Sequence, residues 1–345
     1  MIKYDDTLNG ESEEIPYIKK NISYRESYLN DGDIVIADTA EDETVGKAIE
    51  LYNITTNIVS GLHTIPCRPK VKFYSGYLGY YLNSFAYRKQ LLPLMQGIKV
   101  LSLSKANISK TLLRYPDILE QEKIANMFNL INKKISLQKR QIELLKSYKR
   151  GLENSFFNTI YQNKITIQEI LTESNIKTKS DNEYPVLSST KKGLFLQDDY
   201  FNKQASSENT TGYKILKRNQ LVLSPQNLWM GNINFNNSFE TGIVSPSYKI
   251  YDINPYLNKY YIACLLKSAM AIKEYTLASE QGASIVRRNL NLDLFNKISF
   301  SIPPKEEQDR IATLLEIFSK NIELEESRLF KIYNLKDTLL QKMFI

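Results

Sequence analysis

Residues 116–157, PDILEQEKIANMFNLINKKISLQKRQIELLKSYKRGLENSFF, align without a gap onto residues 303–344 at an offset of 187. Pro116 pairs with Pro303, Glu120-Gln121 with Glu307-Gln308, and Ile124-Ala125 with Ile311-Ala312. Ile135 pairs with Ile322, Leu137 with Leu324, Lys149 with Lys336, and Phe157 with Phe344. A long repeat at wide separation constrains the whole chain, because whatever lies between the copies must share its plan. Two unrelated amphipathic helices would not keep one offset over such a length.

Each copy carries an apolar stripe with steps of three and four. The first runs through Ile124, Phe128, Ile131, Ile135, Ile142, Leu145 and Leu152, and the second through Ile311, Leu315, Phe318, Ile322, Leu329, Ile332 and Leu339. Polar residues interrupt both at matching places, Gln138 with Glu325 and Lys149 with Lys336. A seam of period 3.5 argues for coiled-coil packing, and polar residues in such a seam fix register and partner. A proline opens each helix, where the first N–H groups have no intrahelical partner. Helices of this length reach about 60 Å, longer than a small domain is wide.

The intervening segments repeat more faintly. Leu29–Ile36 resembles Leu216–Leu223 at the same offset, a polar turn feeding a buried strand. Ile15-Pro16-Tyr17-Ile18 echoes Tyr184-Pro185-Val186-Leu187, and Gln96-Gly97 echoes Gln281-Gly282. Short amphipathic helices are expected at 77–85 and 256–266. The boundaries that follow are a first globular unit over 1–114, a long helix over 115–160, a second globular unit over 161–301 and a second long helix over 302–345. The first unit is shorter: nothing before Ile15 matches the strand-and-helix opening Ile165–Leu171. Either it lacks that element or another part of the chain supplies it. Between the shared landmarks the copies diverge, ADTAEDETVGKA at 37–48 against SPQNLWMGNINF at 224–235.

Hydrophobic residues at 42% and charged residues at 24% fit a soluble globular chain of two domains. No apolar run approaches a membrane span, and the acidic, polar start is no secretory signal. Cys67 and Cys264 alone imply a reducing compartment without structural disulfides, so a cytoplasmic protein is expected. A net charge of +7 is compatible with a polyanionic partner without requiring one.

The P-x-x-x-E-Q-x-[KR]-I-A start at 116–125 and 303–312, and the ending L-K-x-x-L-L-Q-K-M-F at 335–344, resemble the conserved helices of the DNA-specificity subunits of type I restriction–modification systems. The likeness extends over essentially the whole chain, although Lys149-Arg150-Gly151-Leu152 replaces the usual ending in the first copy. It implies an α+β fold in which two related α/β target-recognition domains are separated by two long antiparallel helices, a coiled coil with pseudo-twofold arrangement. It also implies partners: double-stranded DNA, read as two half-sites; two DNA methyltransferase subunits docked on the helices; and, through them, a restriction and translocation subunit. The short first unit departs from the family's pattern.

Lysine and arginine contacts to phosphate hold a reader in place, while base edges in the major groove carry the sequence. The loops after the matched strands are candidate readers: Gln226, Asn227, Trp229 and Asn232 in the second unit, where amides suit adenine. Thr39, Thr44 and Lys47 occupy the equivalent loop of the first unit, whose Glu41 and Asp42 either accept from cytosine or form a solvated acidic turn. A second zone follows the Gln-Gly pairs, with Lys99 and Lys105 in one unit and Ser284, Arg287, Arg288 and Asn289 in the other. Adjacent arginines there suit phosphate or guanine, or form a solvated basic edge. His63 and Arg68 complete the set; a surface histidine is the plainer reading of the former. The helix seam, Ile131, Ile135, Ile142, Leu145, Phe318, Ile322, Leu329 and Ile332, is the candidate partner-binding or self-packing surface.

No glycine-rich cofactor loop, Walker motif or Asp/Asn-Pro-Pro-aromatic methyltransferase motif is present, and no carboxylate stands two residues before a lysine. One histidine and two distant cysteines do not make the usual zinc site. The expectation is therefore a non-catalytic subunit that needs no cofactor or metal; the resemblance implies that it directs a DNA adenine methyltransferase. The rival is a coiled-coil scaffold that binds protein only, which accounts for the helices but not for the paired, diverging units.

Overall fold

The computed structural model describes residues 28–41, 44–55, 57–200, 209–281 and 288–344. The chain forms two compact units, Met1–Ile142 with Leu324–Ile345, and Glu143–Glu323. The divisions fall inside the two long helices, Ile118–Phe157 and Lys305–Lys342. Each unit is thus a globular body, the first half of the helix that follows it, and the last half of the other helix.

In the first unit, strand Ile34–Ala37 lies between Ala48–Glu50 and Thr64–Cys67 in an antiparallel sheet, with Ile34 opposite both Glu50 and Cys67. Alternation along the central strand sends Ile34 and Ile36 to one face and Val35 to the other. Ile34 and Ile36 pack against Tyr77, Leu78, Tyr80 and Tyr81 of helix Tyr77–Tyr81, and against Ile124, Ala125 and Phe128 of the first long helix. Phe344, from the end of the second long helix, stacks on Phe128 at 5.9 Å within the same cluster. Val35 joins a smaller cluster with Leu29, Ile49 and Leu51. The helix expected over 77–85 is two helices, Tyr77–Tyr81 and Phe85–Leu91, because Ser84 adopts extended backbone and its hydroxyl caps the Tyr87 N–H.

The second unit repeats the plan with, among the described residues, one strand more. Its sheet runs Ile233–Phe235, Leu221–Leu223, Lys249–Ile253 and Leu171–Ser174, all antiparallel. Leu221 and Leu223 stand where Ile34 and Ile36 stand in the first unit, and pack with Ile167, Ile170, Tyr261, Leu265, Tyr275 and Phe295. Phe157 of the first long helix and Ile311, Ala312 and Leu315 of the second close this core. Helix Lys259–Leu266 occupies the C-terminal part of the segment expected at 256–266, and Ser268 caps the next helix, Ala269–Leu277, as Ser84 does in the first unit. Strand Lys164–Thr166 pairs with Ser299–Ser301, just ahead of the second long helix.

The repeated Glu-Gln pair has a structural cause. Gln121 is buried; its Oε1 accepts the Tyr74 N–H at 3.0 Å and its Nε2 donates to the Pro116 carbonyl at 2.9 Å. Gln308 is buried likewise; it accepts the Asn258 N–H at 3.0 Å and donates to the Pro303 carbonyl at 2.9 Å. One amide satisfies a loop donor of the globular body and a carbonyl at the head of the helix, which fixes the angle at which the helix leaves. Only a side chain with donor and acceptor on one planar group fills both roles.

The seam residues are inward. Ile135 and Ile142 are buried, and Ile131, Leu145, Phe318, Ile322, Leu329 and Ile332 are half-buried. Gln138 and Glu325, each the other's counterpart in the repeat, meet in the seam of the first unit. The Gln138 amide donates to the Glu325 carboxylate and, at 3.3 Å, to its backbone carbonyl. Arg328 completes the site with a 2.5 Å contact to the same carboxylate.

Replacing Gln308 with alanine is expected to leave the Asn258 N–H and the Pro303 carbonyl unpaired and to cost about 2–4 kcal/mol. Urea unfolding of the full chain measures it, and a loss under about 0.5 kcal/mol, the range of ordinary surface changes, would count against the clamp.

Candidate nucleic-acid interface

The second unit holds its candidate loop through a chain of backbone bonds. After strand Leu221–Leu223, Asn227 N–H donates to Ser224 O at 3.1 Å, and Ser224 N–H donates to Asn232 O at 3.0 Å. Leu228 is fully buried and anchors a short 3-10 turn, Leu228–Met230. Gly231 ends that turn at φ 84°, a left-handed backbone that favours glycine, and a Cβ there would press only on the flexible end of Ile272. The result is a fixed loop with Gln226 exposed and Asn227 and Trp229 half-exposed.

Arg288 comes to this loop from the other candidate zone. Its N–H donates to Gln226 O at 3.2 Å, and its guanidinium lies 4.5 Å from the centre of the Trp229 ring. A guanidinium over an indole is held by the ring's quadrupole while its edge donors stay available. Gln226, Trp229 and Arg288 thus form one patch, with Asn289 exposed beside Arg288. Ser284 and Arg287 lie outside the described residues.

Asn232 is corrected by the structure: it is buried rather than displayed. Its Nδ2 donates to Ser189 O at 3.0 Å, and its Oδ1 accepts the Ser189 hydroxyl at 2.8 Å. Asn234 donates to Ser189 Oγ and to Thr190 O, and accepts from the Lys267 ammonium. These amides tie the strand under the candidate loop to strand Leu187–Thr190. Lys267 is drawn into that network, and burial, with the Lys149 charge nearby, pushes its ammonium down to about 8.

The first unit joins its two candidate zones by a small strand pair. Thr39–Ala40 pairs with Leu101–Ser102, Thr39 opposite Ser102. Gly97 stands at φ 121°, and a Cβ would fall 1.9 Å from Val100 O, so the glycine of the Gln-Gly pair is demanded by a tight turn. That turn exposes Lys99; Lys105 is exposed at the start of helix Lys105–Ile108, and Lys47 on the adjoining loop. Thr44 is half-buried and closes that loop by accepting the Lys47 N–H at 3.0 Å. Arg68 is committed elsewhere: its guanidinium clasps the Asp33 carboxylate at 2.7 and 2.6 Å and holds that carboxyl below its usual range. His63 is exposed in a left-handed conformation, 3.8 Å from Asp38.

The long helices also carry exposed leucines. Leu130, Leu137 and Leu144 recur at seven-residue spacing and are 68%, 58% and 48% exposed. Ile317 and Leu324, the counterparts of Leu130 and Leu137, are about half exposed as well. The heptad spacing was visible in the sequence, one step out of phase with the seam. Among the described residues, no group of His, Cys, Asp and Glu could hold a metal ion, and no helix is long and apolar enough to cross a membrane.

The folding free energy is expected to respond to Lys267. The unfolded chain holds that proton to about pH 10 and the folded chain releases it near 8, so stability rises as pH increases between those values. In urea titrations across that window, Lys267→Met should flatten the rise; an unchanged slope would show that the ammonium is not desolvated.

Residues 163–334 match the sequence model of the type I restriction modification DNA specificity domain. The fold resembles the crystal structure of a type I restriction–modification S subunit from M. genitalium, with TM-score 0.53 and 13% identity over 92% of this chain and 84% of that one. It also resembles a chain from a study of complex assembly and conformational transition in the type I system, with TM-score 0.58 and 12% identity over 92% and 83%. At such identities the structural likeness is one of fold. No curated protein matches the chain in sequence.

Proposed function

Since the chain belongs to the type I restriction–modification DNA specificity family, we propose that it is the non-catalytic subunit that selects the DNA sequence for such a complex. Each globular unit reads one half of a bipartite site in double-stranded DNA. The long helices hold the readers apart and dock two methyltransferase subunits, which in turn bring a restriction and translocation subunit. The work is cytoplasmic, and adenine methylation is done in the partner's pocket, where a flipped base can be reached.

The observation that carries this reading is the patch of Gln226, Trp229 and Arg288. Two loops far apart in sequence converge on an amide that can pair with adenine and a guanidinium, already oriented by an indole, that can pair with guanine or phosphate. The first unit joins the corresponding zones with different chemistry, lysines and threonines in place of amide, indole and arginine. Shared scaffolds with unlike surfaces suit two unlike half-sites. The exposed heptad of Leu130, Leu137 and Leu144 suits a partner helix, which would bury the half or so of each leucine still open to solvent, on the order of 1–2 kcal/mol each.

Arg288→Ala is expected to weaken duplex binding by about 1–3 kcal/mol, measured at fixed salt. If affinity falls equally for all sequences and the salt slope drops by about one, the arginine contacts phosphate. If affinity falls only for the cognate site, it reads a base. No change in either would remove the patch from the interface. A protein-only scaffold, the alternative reading, would show no salt-dependent retention on duplex DNA at all.

Co-expression with the cognate methyltransferase, followed by mapping of modified bases, should yield a two-part motif with a constant gap. Inserting one heptad into both long helices should change that gap. Scattered modification would end the bipartite reading. An unaltered gap in a folded insertion variant would end the idea that the helices set the spacing.

A further inference from the structure

The hairpin that joins the two candidate zones of the first unit ends in an aliphatic tip. Gln96 and Ser102 exchange backbone bonds: the Gln96 N–H donates to Ser102 O at 3.0 Å and the Ser102 N–H to Gln96 O at 2.8 Å. Gly97 makes the tight turn between them, and Ile98, Lys99 and Val100 form its tip. Ile98 is fully exposed and Val100 nearly half exposed. The tip is held at its base, since Thr39–Ala40 pairs with Leu101–Ser102 and the Leu103 N–H donates to Asp38 O at 2.7 Å. Packing does not account for a branched aliphatic side chain displayed whole on a bonded turn. Pairing Gln96-Gly97 with Gln281-Gly282 places Ala283 at the same position of the second copy, so the repeat does not call for the bulk. Leu62, on the neighbouring loop, is nearly as exposed, but beside it stands the His63–Asp38 pair rather than a lysine.

We infer, resting on the DNA-reading function proposed above, that Ile98 is a specificity-determining residue that contacts the methyl group of a thymine in the half-site of the first unit. Duplex DNA offers an aliphatic side chain two apolar surfaces. One is the thymine methyl, which stands open in the major groove. The other is the face of a base, reached only after a step is unstacked, a cost that contact with the methyl does not carry. The charges around the tip favour base edges over backbone. Glu41, exposed directly after Ala40, is repelled by phosphate but accepts from the amino group of cytosine. Lys99, exposed next to Ile98, donates to phosphate or to guanine. An aliphatic group, an acid and an ammonium on adjoining turns thus match the methyl, amino and acceptor groups that a major groove displays.

A double-substitution cycle tests the contact. Once the recognised site is mapped, duplexes are made with thymine or with deoxyuridine, which lacks only the methyl, in one half at a time. Binding of the full-length protein and of its Ile98→Ala variant is measured at fixed salt. Deoxyuridine in one of the two halves is expected to weaken the unaltered protein about fourfold, the worth of one buried carbon. Ile98→Ala should bind the thymine duplex several-fold more weakly and be indifferent to deoxyuridine in that half. Its side chain being fully exposed, the variant should keep the urea midpoint of the unaltered protein. An unaltered protein blind to deoxyuridine in both halves, or an Ile98→Ala variant with no loss on thymine DNA, would overturn the proposal. So would equal losses for the variant on thymine and deoxyuridine duplexes, the result expected if Ile98 enters between bases. Failure of the unaltered protein to bind duplex DNA in a salt-dependent way would overturn the function itself, and the thymine contact with it.

Discussion

Everything in this fold hangs on how a long helix is joined to the body it follows. A helix of about 60 Å magnifies any error at its root, so the joint must be set by directional bonds rather than by apolar contact alone. A buried glutamine does this twice, Gln121 in one unit and Gln308 in the other, each bridging a loop N–H and the carbonyl of the proline that opens the helix. The apolar residues one turn on, Ile124-Ala125 and Ile311-Ala312, then seat the helix in the core. The bonds fix direction and the burial supplies stability. Losing either leaves the other without its purpose.

With the roots fixed, the rest of each unit is free to vary where it faces outward. Both bodies keep a central strand with inward apolar residues, a helix beneath it and a serine cap on the next helix. Above that frame the loops differ in length and charge. Variation is cheap there because the loops are tied to the frame by backbone bonds, such as Ser224 to Asn232 and Leu103 N–H to Asp38 O at 2.7 Å, and these do not depend on side-chain identity.

The repeat was legible because a helical seam writes itself into one stretch of sequence. Period and polar interruptions sufficed to pick out Ile135, Gln138 and Ile142 as inward residues. The loops were less legible, since their fate is decided by residues far away. Asn232 looks like a displayed amide until Ser189, on another strand, takes up both of its hydrogen-bonding groups. Arg68 looks like a free cation until Asp33 claims it. The convergence of Gln226 with Arg288 could not be read from either segment alone. The outer stripe of Leu130, Leu137 and Leu144 was plain in its spacing, but whether it faced inward or outward depended on which stripe the body covered first.

The meeting of Gln138 with Glu325 bears on why both halves share one polypeptide. The two residues occupy the same place in the repeat, so a pair of identical half-length chains would set like against like at that point. Two copies of the second half would bury carboxylate against carboxylate, an arrangement in which one acid must give up its charge. The amide resolves the conflict by donating to the carboxylate. A single side-chain difference between the repeated halves thus favours the unlike pair over two copies of the second half.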